Sequence, residues 1–321
     1  MYPWNAVSIL FTTYTYVLYF VITLIGAYHY YGYLRDRKRS SGSSLHLLLY
    51  LLILLLLYLI PLTITSIPLI VVLSFIQEYK LLTAFFYAPL IPLMLKYARY
   101  GCKREEKAKI DDIEYIVCYN DVVNAWFNRK TGKFYISDKL RRALTDLETK
   151  AIILHEEGHS KNRLLGSITT IISTVWYMAV ATLILFLAAL LKYGINTVIT
   201  LELIAFFLPI VPLITVVTML WSWTNEHESD LNALKNVSYE VVASALIKAH
   251  ANEILKYVEK IELDQRSISE DVAVRFSDVL KTLLKYSWDA PLWFSELIKR
   301  PMYETHPPLK FRLVKLKNTC V

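Results

Sequence analysis

Four apolar runs, each long enough to cross a bilayer, constrain this chain more than anything else in its sequence. Residues 6–33, 45–76, 165–191 and 197–223 are almost free of Asp, Glu, Lys and Arg. A helix rises 1.5 Å per residue, so about 20 apolar residues cross a hydrocarbon core about 30 Å thick. A fifth run, 81–95, is short and either crosses or re-enters. The chain is 55% hydrophobic, above the roughly 45–50% of soluble domains. These runs predict a mostly α membrane protein with about five transmembrane helices.

Charge placement predicts the direction of the spans. Arg35, Arg37, Lys38 and Arg39 follow the first run, and Lys96, Arg99, Lys103, Arg104, Lys107 and Lys109 follow the short one. Lys161 and Arg163 precede the run 165–191, whereas the opposite connections are nearly neutral. Basic loops stay cytoplasmic. If 81–95 crosses, every basic stretch lies inside, and so does the C-terminus. The net charge of +7 is therefore assigned to membrane flanks, and a lipid bilayer rather than nucleic acid is the expected partner. The first run has no basic leader and is expected to be retained. Cys102, Cys118 and Cys320 form no CxxC pair and are expected to be reduced.

Four segments follow: 1–98, an N-terminal membrane region; 99–163, polar enough to fold in water; 164–223, a transmembrane hairpin; and 224–321, a second polar block. The predicted topology puts both polar blocks on one side, as a shared site requires.

The first polar block holds His155-Glu156-Glu157-Gly158-His159. On a helix, residues i and i+4 share a face. Two imidazoles so placed can bind one zinc ion, with Glu156 positioned to take a proton from a metal-bound water. Thr145 and Glu148 have the spacing of a capping box and predict the helix start. Gly158 is a poor helix-interior residue, which suggests a packing or access requirement.

A catalytic zinc needs a third protein ligand and an open position. Glu226-His227-Glu228-Ser229-Asp230 follows the last apolar run. Glu226 can complete the ligand set, and Asp230, one turn on, can fix the ring of a ligand His. His227 and Glu228 are rival ligands on other faces. His250, in the apolar-rich stretch 241–255, is expected to be packed.

These motifs resemble the HtpX and CAAX-prenyl-protease family of integral membrane zinc metallopeptidases. That family pairs H-E-x-x-H with a downstream E-x-x-A-D-like motif, and Ser229 stands where Ala is usual. Asn162-Arg163, Asn124-Ala125-Trp126 and the element His306-Pro307-Pro308 with Arg312 fall in the family's order over residues 120–321. The resemblance implies a gluzincin-like α+β cytoplasmic catalytic domain with a small β-sheet and one zinc per chain. It implies hydrolysis of peptide bonds in membrane or misfolded proteins, with CAAX-type processing as the narrower alternative. A catalytically silent zinc-binding membrane scaffold and a transporter are the readings from other classes. Lys133–Ser137 reads as a strand. The resemblance makes it a substrate-holding edge, with Asn124, Ala125, Phe134, Tyr135 and Ile136 as contacts. Asn124 either touches substrate or shapes a turn. His306 and Arg312 either donate to the oxyanion of the scissile carbonyl or serve structure, Arg312 by pairing with an acid such as Asp230.

Overall fold

A computed structural model describes residues 3–36, 102–120, 123–128, 131–161, 210–254, 273–289 and 306–320. The runs 45–76, 81–95 and 165–191, the start of the run 197–223, and Asn162-Arg163 lie outside the described residues.

Helix α1 (Pro3–Arg35) covers the first predicted span and overshoots it slightly at both ends. Among the described residues it is the one helix long and apolar enough to cross a membrane. One face is buried through Tyr19, Ile22, Tyr30, Tyr33 and Leu34. The opposite face leaves Tyr14, Val17, Val21, Leu24 and Tyr28 exposed. Their spacing of three and four residues makes a continuous apolar stripe.

The first polar block opens with a four-stranded sheet. Strands β1 (Arg104–Ile110), β2 (Ile113–Tyr119), β3 (Ala125–Asn128) and β4 (Lys133–Ser137) lie in the order β1-β2-β4-β3. β1 and β2 form an antiparallel hairpin, β2 and β4 run parallel, and β4 and β3 are antiparallel. Gly132, with φ of +67°, turns the chain from β3 into β4 in a conformation that suits glycine.

This order corrects one expectation. Lys133–Ser137 is a strand, but an internal one. Phe134, Tyr135 and Ile136 pair with Tyr115, Ile116 and Val117 on one side and with Phe127, Trp126 and Ala125 on the other. Their main chain therefore has no free side for a peptide. Among the described strands, the edge that packs beside the helix carrying His155 and His159 is β3. Tyr135 stacks on Trp126 and Phe134 packs on Phe127, so these rings brace the edge strand.

A second correction concerns the cysteines. Cys102 and Cys118 are disulfide-bonded and only Cys320 is free. Cys102 lies just ahead of β1, outside the ladder in which Cys118 pairs with Glu105, and Lys103 N donates to Tyr119 O at 3.0 Å, which keeps that lead-in beside β2.

After β4 come α2 (Asp138–Ala143), α3 (Asp146–Lys161), α4 (Ile210–Leu234), α5 (Tyr239–Ile254), α6 (Phe276–Asp289) and α7 (Leu309–Cys320). Two cores form. The first joins α1, α4, α6 and α7 around Tyr30, Leu220, Trp223, Leu283 and Phe311. The second joins the sheet to α3 and α5 around Ile136, Ile152, Leu154 and Leu246. Packing of α3 against α4 connects them.

The start of α3 is set by the capping box. Thr145 Oγ1 accepts from Glu148 N at 3.3 Å, and Glu148 Oε2 accepts from Thr145 N at 2.7 Å. Glu148 also takes Lys248 at 2.7 Å and Ser244 at 2.6 Å, both on α5. Burial opposes its charge, but Lys248, Ser244 and Thr145 override it and bring its pKa down to about 2. A depressed carboxyl pKa stabilises the fold above the unfolded value of about 4.3, and the contribution fades as pH falls toward 2. Glu148→Gln should therefore lose about 1–2 kcal/mol at pH 7. The deficit relative to wild type should shrink steadily below pH 4.5. Thermal melts with the same deficit at pH 7 and pH 3 would show that the charge contributes nothing.

Candidate metal centre

Three helices distant in sequence supply the site. α3 presents His155, Glu156 and His159, α4 presents Glu226 and Asp230, and α7 presents Arg312 with His306 just ahead of it. The apolar positions Ala151–Leu154 bury α3 against the second core. That burial fixes which face of α3 turns toward α4.

The two histidines bring their Nε2 atoms to 3.1 Å of each other. Glu226 Oε2 lies 3.5 Å from His155 Nε2, and Oε1 lies 3.3 Å from His159 Nε2. Tetrahedral zinc with bonds of about 2.0–2.1 Å holds its donor atoms about 3.3 Å apart. The three donors thus fit one zinc ion. The Glu156 carboxylate lies within 4.8 Å of both histidine donors. Glu226 is 6% exposed, whereas Glu156 is only half-buried. Both carboxylates are therefore at hand for a metal, Glu226 from the buried side and Glu156 from the more open one.

Behind the donors lies a buried polar network. His155 Nδ1 is 2.8 Å from Asp230 Oδ1, a close contact though not a well-aligned hydrogen bond. Arg312 grips Asp230 with both arms, Nε to Oδ2 at 2.8 Å and Nη2 to Oδ1 at 2.6 Å. Burial opposes ionisation of Asp230, but the Arg312 guanidinium holds it well below the usual carboxylate range. Burial also disfavours protonated His155, yet Asp230 and Glu226 prevail and raise it to about 10 without a metal.

Of the two readings of Arg312, the geometry supports pairing with an acid. Arg312 is 3% exposed and its fork is occupied by Asp230. It orients the residue behind His155, so the oxyanion-donor role does not fit it. His306 sits at the wall of the site, with Nδ1 2.7 Å from Glu226 Oε2, again imperfectly aligned as a hydrogen bond.

The rival ligands point elsewhere. His227 Nε2 meets Tyr30 OH at 2.6 Å, and Glu228 Oε1 accepts from Tyr33 OH at 2.8 Å. Both face α1. His250 Nδ1 contacts Leu246 O within its own helix at 2.9 Å. Asn124 is held through its main chain by Ser137, with O accepting from Ser137 N at 2.8 Å and N donating to Ser137 Oγ at 3.0 Å. It leads into β3 at Ala125.

Sequence reasoning missed the residues around His159. Ser229 Oγ lies 2.9 Å from His159 Nδ1, and Asn225 Nδ2 lies 3.2 Å from the same atom. Position supplied the missed signal, since both share a helix face with Glu226 and Asp230 at neighbouring turns.

Gly158 explains how α3 and α4 come so close. A Cβ there would stand 2.7 Å from Ser229 Cα and 3.1 Å from Ser229 Oγ. The obstacle is backbone and cannot swing away. Gly158→Ala should therefore push the helices apart, with an overpacking cost of about 1–3 kcal/mol. Zinc affinity should fall at least about tenfold, because the ligands sit on both helices. Zinc titration of purified protein checks this, and wild-type affinity would mean the contact relaxes freely.

Residues 96–320 match the model of Peptidase family M48. No curated protein and no solved structure matches the chain.

Proposed function

The chain belongs to peptidase family M48, a family of zinc metallopeptidases, and from that premise we propose that it is a membrane-embedded zinc endopeptidase. The observation that carries this reading is the convergence of His155, His159 and Glu226 at zinc-ligand spacing, with Glu156 beside them. A zinc ion held there would supply Lewis acidity at the scissile carbonyl and acidify the attacking water.

The chain's own residues do the rest. Glu156 takes the proton from the attacking water, holds it on its carboxylate and passes it to the leaving amine nitrogen. His306, held against Glu226, turns its other ring nitrogen to the oxyanion. The β3 edge, Ala125–Asn128, lies beside α3 and pairs on one side with β4. Its other side suits an extended peptide, which gains main-chain hydrogen bonds there. Asn124 and Ala125 begin that edge.

Support for the bilayer comes from the apolar stripe of α1. Val17 is 56% exposed and Tyr28 67% exposed, a cost in water that lipid removes. The site lies on α4 only three residues beyond Trp223, about 4.5 Å along the helix. Substrates met at that depth are membrane proteins and their damaged segments, which suits quality control.

Glu156→Gln should retain zinc and reduce cleavage of a membrane-protein substrate by at least about 10²-fold, the scale of lost general-base catalysis. A chelator should abolish cleavage by wild type. Full activity in the variant would remove Glu156 from the mechanism.

We assign the site to the cytoplasmic face of the plasma membrane from the basic flanks. The Cys102–Cys118 bridge is the observation that pulls the other way, since such bridges favour oxidising compartments. Cys320 is free and exposed and reports the side directly. A membrane-impermeant maleimide should label it only after cells are permeabilised. Labelling of intact cells would place the C-terminal helix outside.

A further inference from the structure

The two histidines have unlike surroundings on the side away from the metal position. His155 Nδ1 faces a carboxylate, Asp230. His159 Nδ1 faces two neutral side chains, the Ser229 hydroxyl and the Asn225 amide. Ser229 is fully buried and is pinned between His159 and the missing Cβ of Gly158.

Proton placement gives these contacts meaning. His159 turns Nε2 toward His155 and Glu226. A ring that offers its Nε2 lone pair to a metal keeps its proton on Nδ1. That proton needs an acceptor, and Ser229 Oγ at 2.9 Å provides one. Asn225 completes the picture. Its Oδ1 is buried with no hydrogen-bond partner while its Nδ2 points at the ring. A half-turn of the amide exchanges the two atoms. It brings Oδ1 to the Nδ1 proton and resolves the orphaned oxygen at once.

We propose that Ser229 and Asn225 are positioning residues that jointly accept the Nδ1 proton of His159 and hold its ring for metal binding. The inference rests on the reading of His155, His159 and Glu226 as the metal ligands. It makes the imidazoles unequal partners, one backed by a negative charge and the other by neutral dipoles. It also gives a role to the hydroxyl at position 229, where the resembling family usually has alanine.

The test uses the full-length protein in detergent and measures zinc affinity by chelator competition, together with the melting temperature of the metal-free form. Wild type should bind one zinc, and His155→Ala should lose it. Ser229→Ala and Asn225→Ala should each weaken binding by up to about tenfold, and the double variant by about 10–100-fold. The metal-free melting temperatures should match wild type. Asn225→Asp in the Ser229→Ala background should recover the affinity, because a carboxylate accepts the same proton. The visible spectrum of the cobalt-loaded double variant should differ from wild type as the ring loses its fixed orientation. A double variant that binds zinc within about twofold of a zinc-binding wild type overturns the inference alone. So does an affinity loss that tracks a lowered metal-free melting temperature without rescue by aspartate. A wild type that takes up no zinc overturns the site and the inference together.

Discussion

Asp230 carries the constraint on which the rest of the site depends. It is 1% exposed and ionised, and a buried carboxylate without partners would cost several kcal/mol. Its partners come from two other helices, His155 on α3 and Arg312 on α7. The charge can be buried only when all three helices are in place. Helix α4 cannot rotate or slide without breaking a bidentate pair, and that fixes Glu226 one turn earlier. A ligand on a free helix end would wander by more than the few tenths of an ångström that a metal site tolerates. The buried pair thus contributes position more than net stability.

Helix α1 belongs to the same assembly. The last turn of α1 leaves carbonyl groups without helical partners, and α7 satisfies them. Lys315 Nζ donates to Tyr33 O at 2.9 Å and to Asp36 O at 3.0 Å, and Asn318 donates to Leu34 O at 3.1 Å. A cation at a helix C-terminus also complements the helix dipole, and this one lies over the Tyr33 ring at 4.1 Å. From the other side, Tyr30 and Tyr33 meet His227 and Glu228 on α4. The residues between Glu226 and Asp230 therefore tie the motif to α1, while the motif's ends serve the site.

Local patterns in the sequence were legible and long-range ones were not. Thr145 and Glu148 announced the start of α3, because a capping box is a contact between near neighbours. His155 with His159, and Glu226 with Asp230, could be placed on helix faces from spacing alone. The place of Lys133–Ser137 in the sheet could not. A strand's composition records that it is half-buried, whereas its neighbours depend on strands elsewhere in the chain. The same holds for Cys102 and Cys118, which meet only because the chain ahead of β1 folds back beside β2. Arg312 lay between two readings because its partner is 82 residues away. Ser229 looked like a departure from a pattern, and only the approach of Gly158 shows what its hydroxyl touches.

Charge bookkeeping at the centre leads to the same chemistry as the distances. Glu156, Glu226 and Asp230 carry three negative charges, and Arg312 carries one positive charge. With neutral imidazoles the balance is −2, the complement of one divalent cation. Without that cation the cluster draws in protons, which is why His155 is raised to about 10 despite its burial. Burial likewise opposes ionised Glu226, yet His306 and His159 keep it well below its usual range. A metal entering the site must displace the proton from His155 Nε2. Apparent affinity therefore rises with pH until that ring is neutral. The electrostatics do not prefer an empty, proton-free site. A proton on His155 brings the balance to −1, whereas a divalent cation would bring it to zero and would acidify a water beside Glu156.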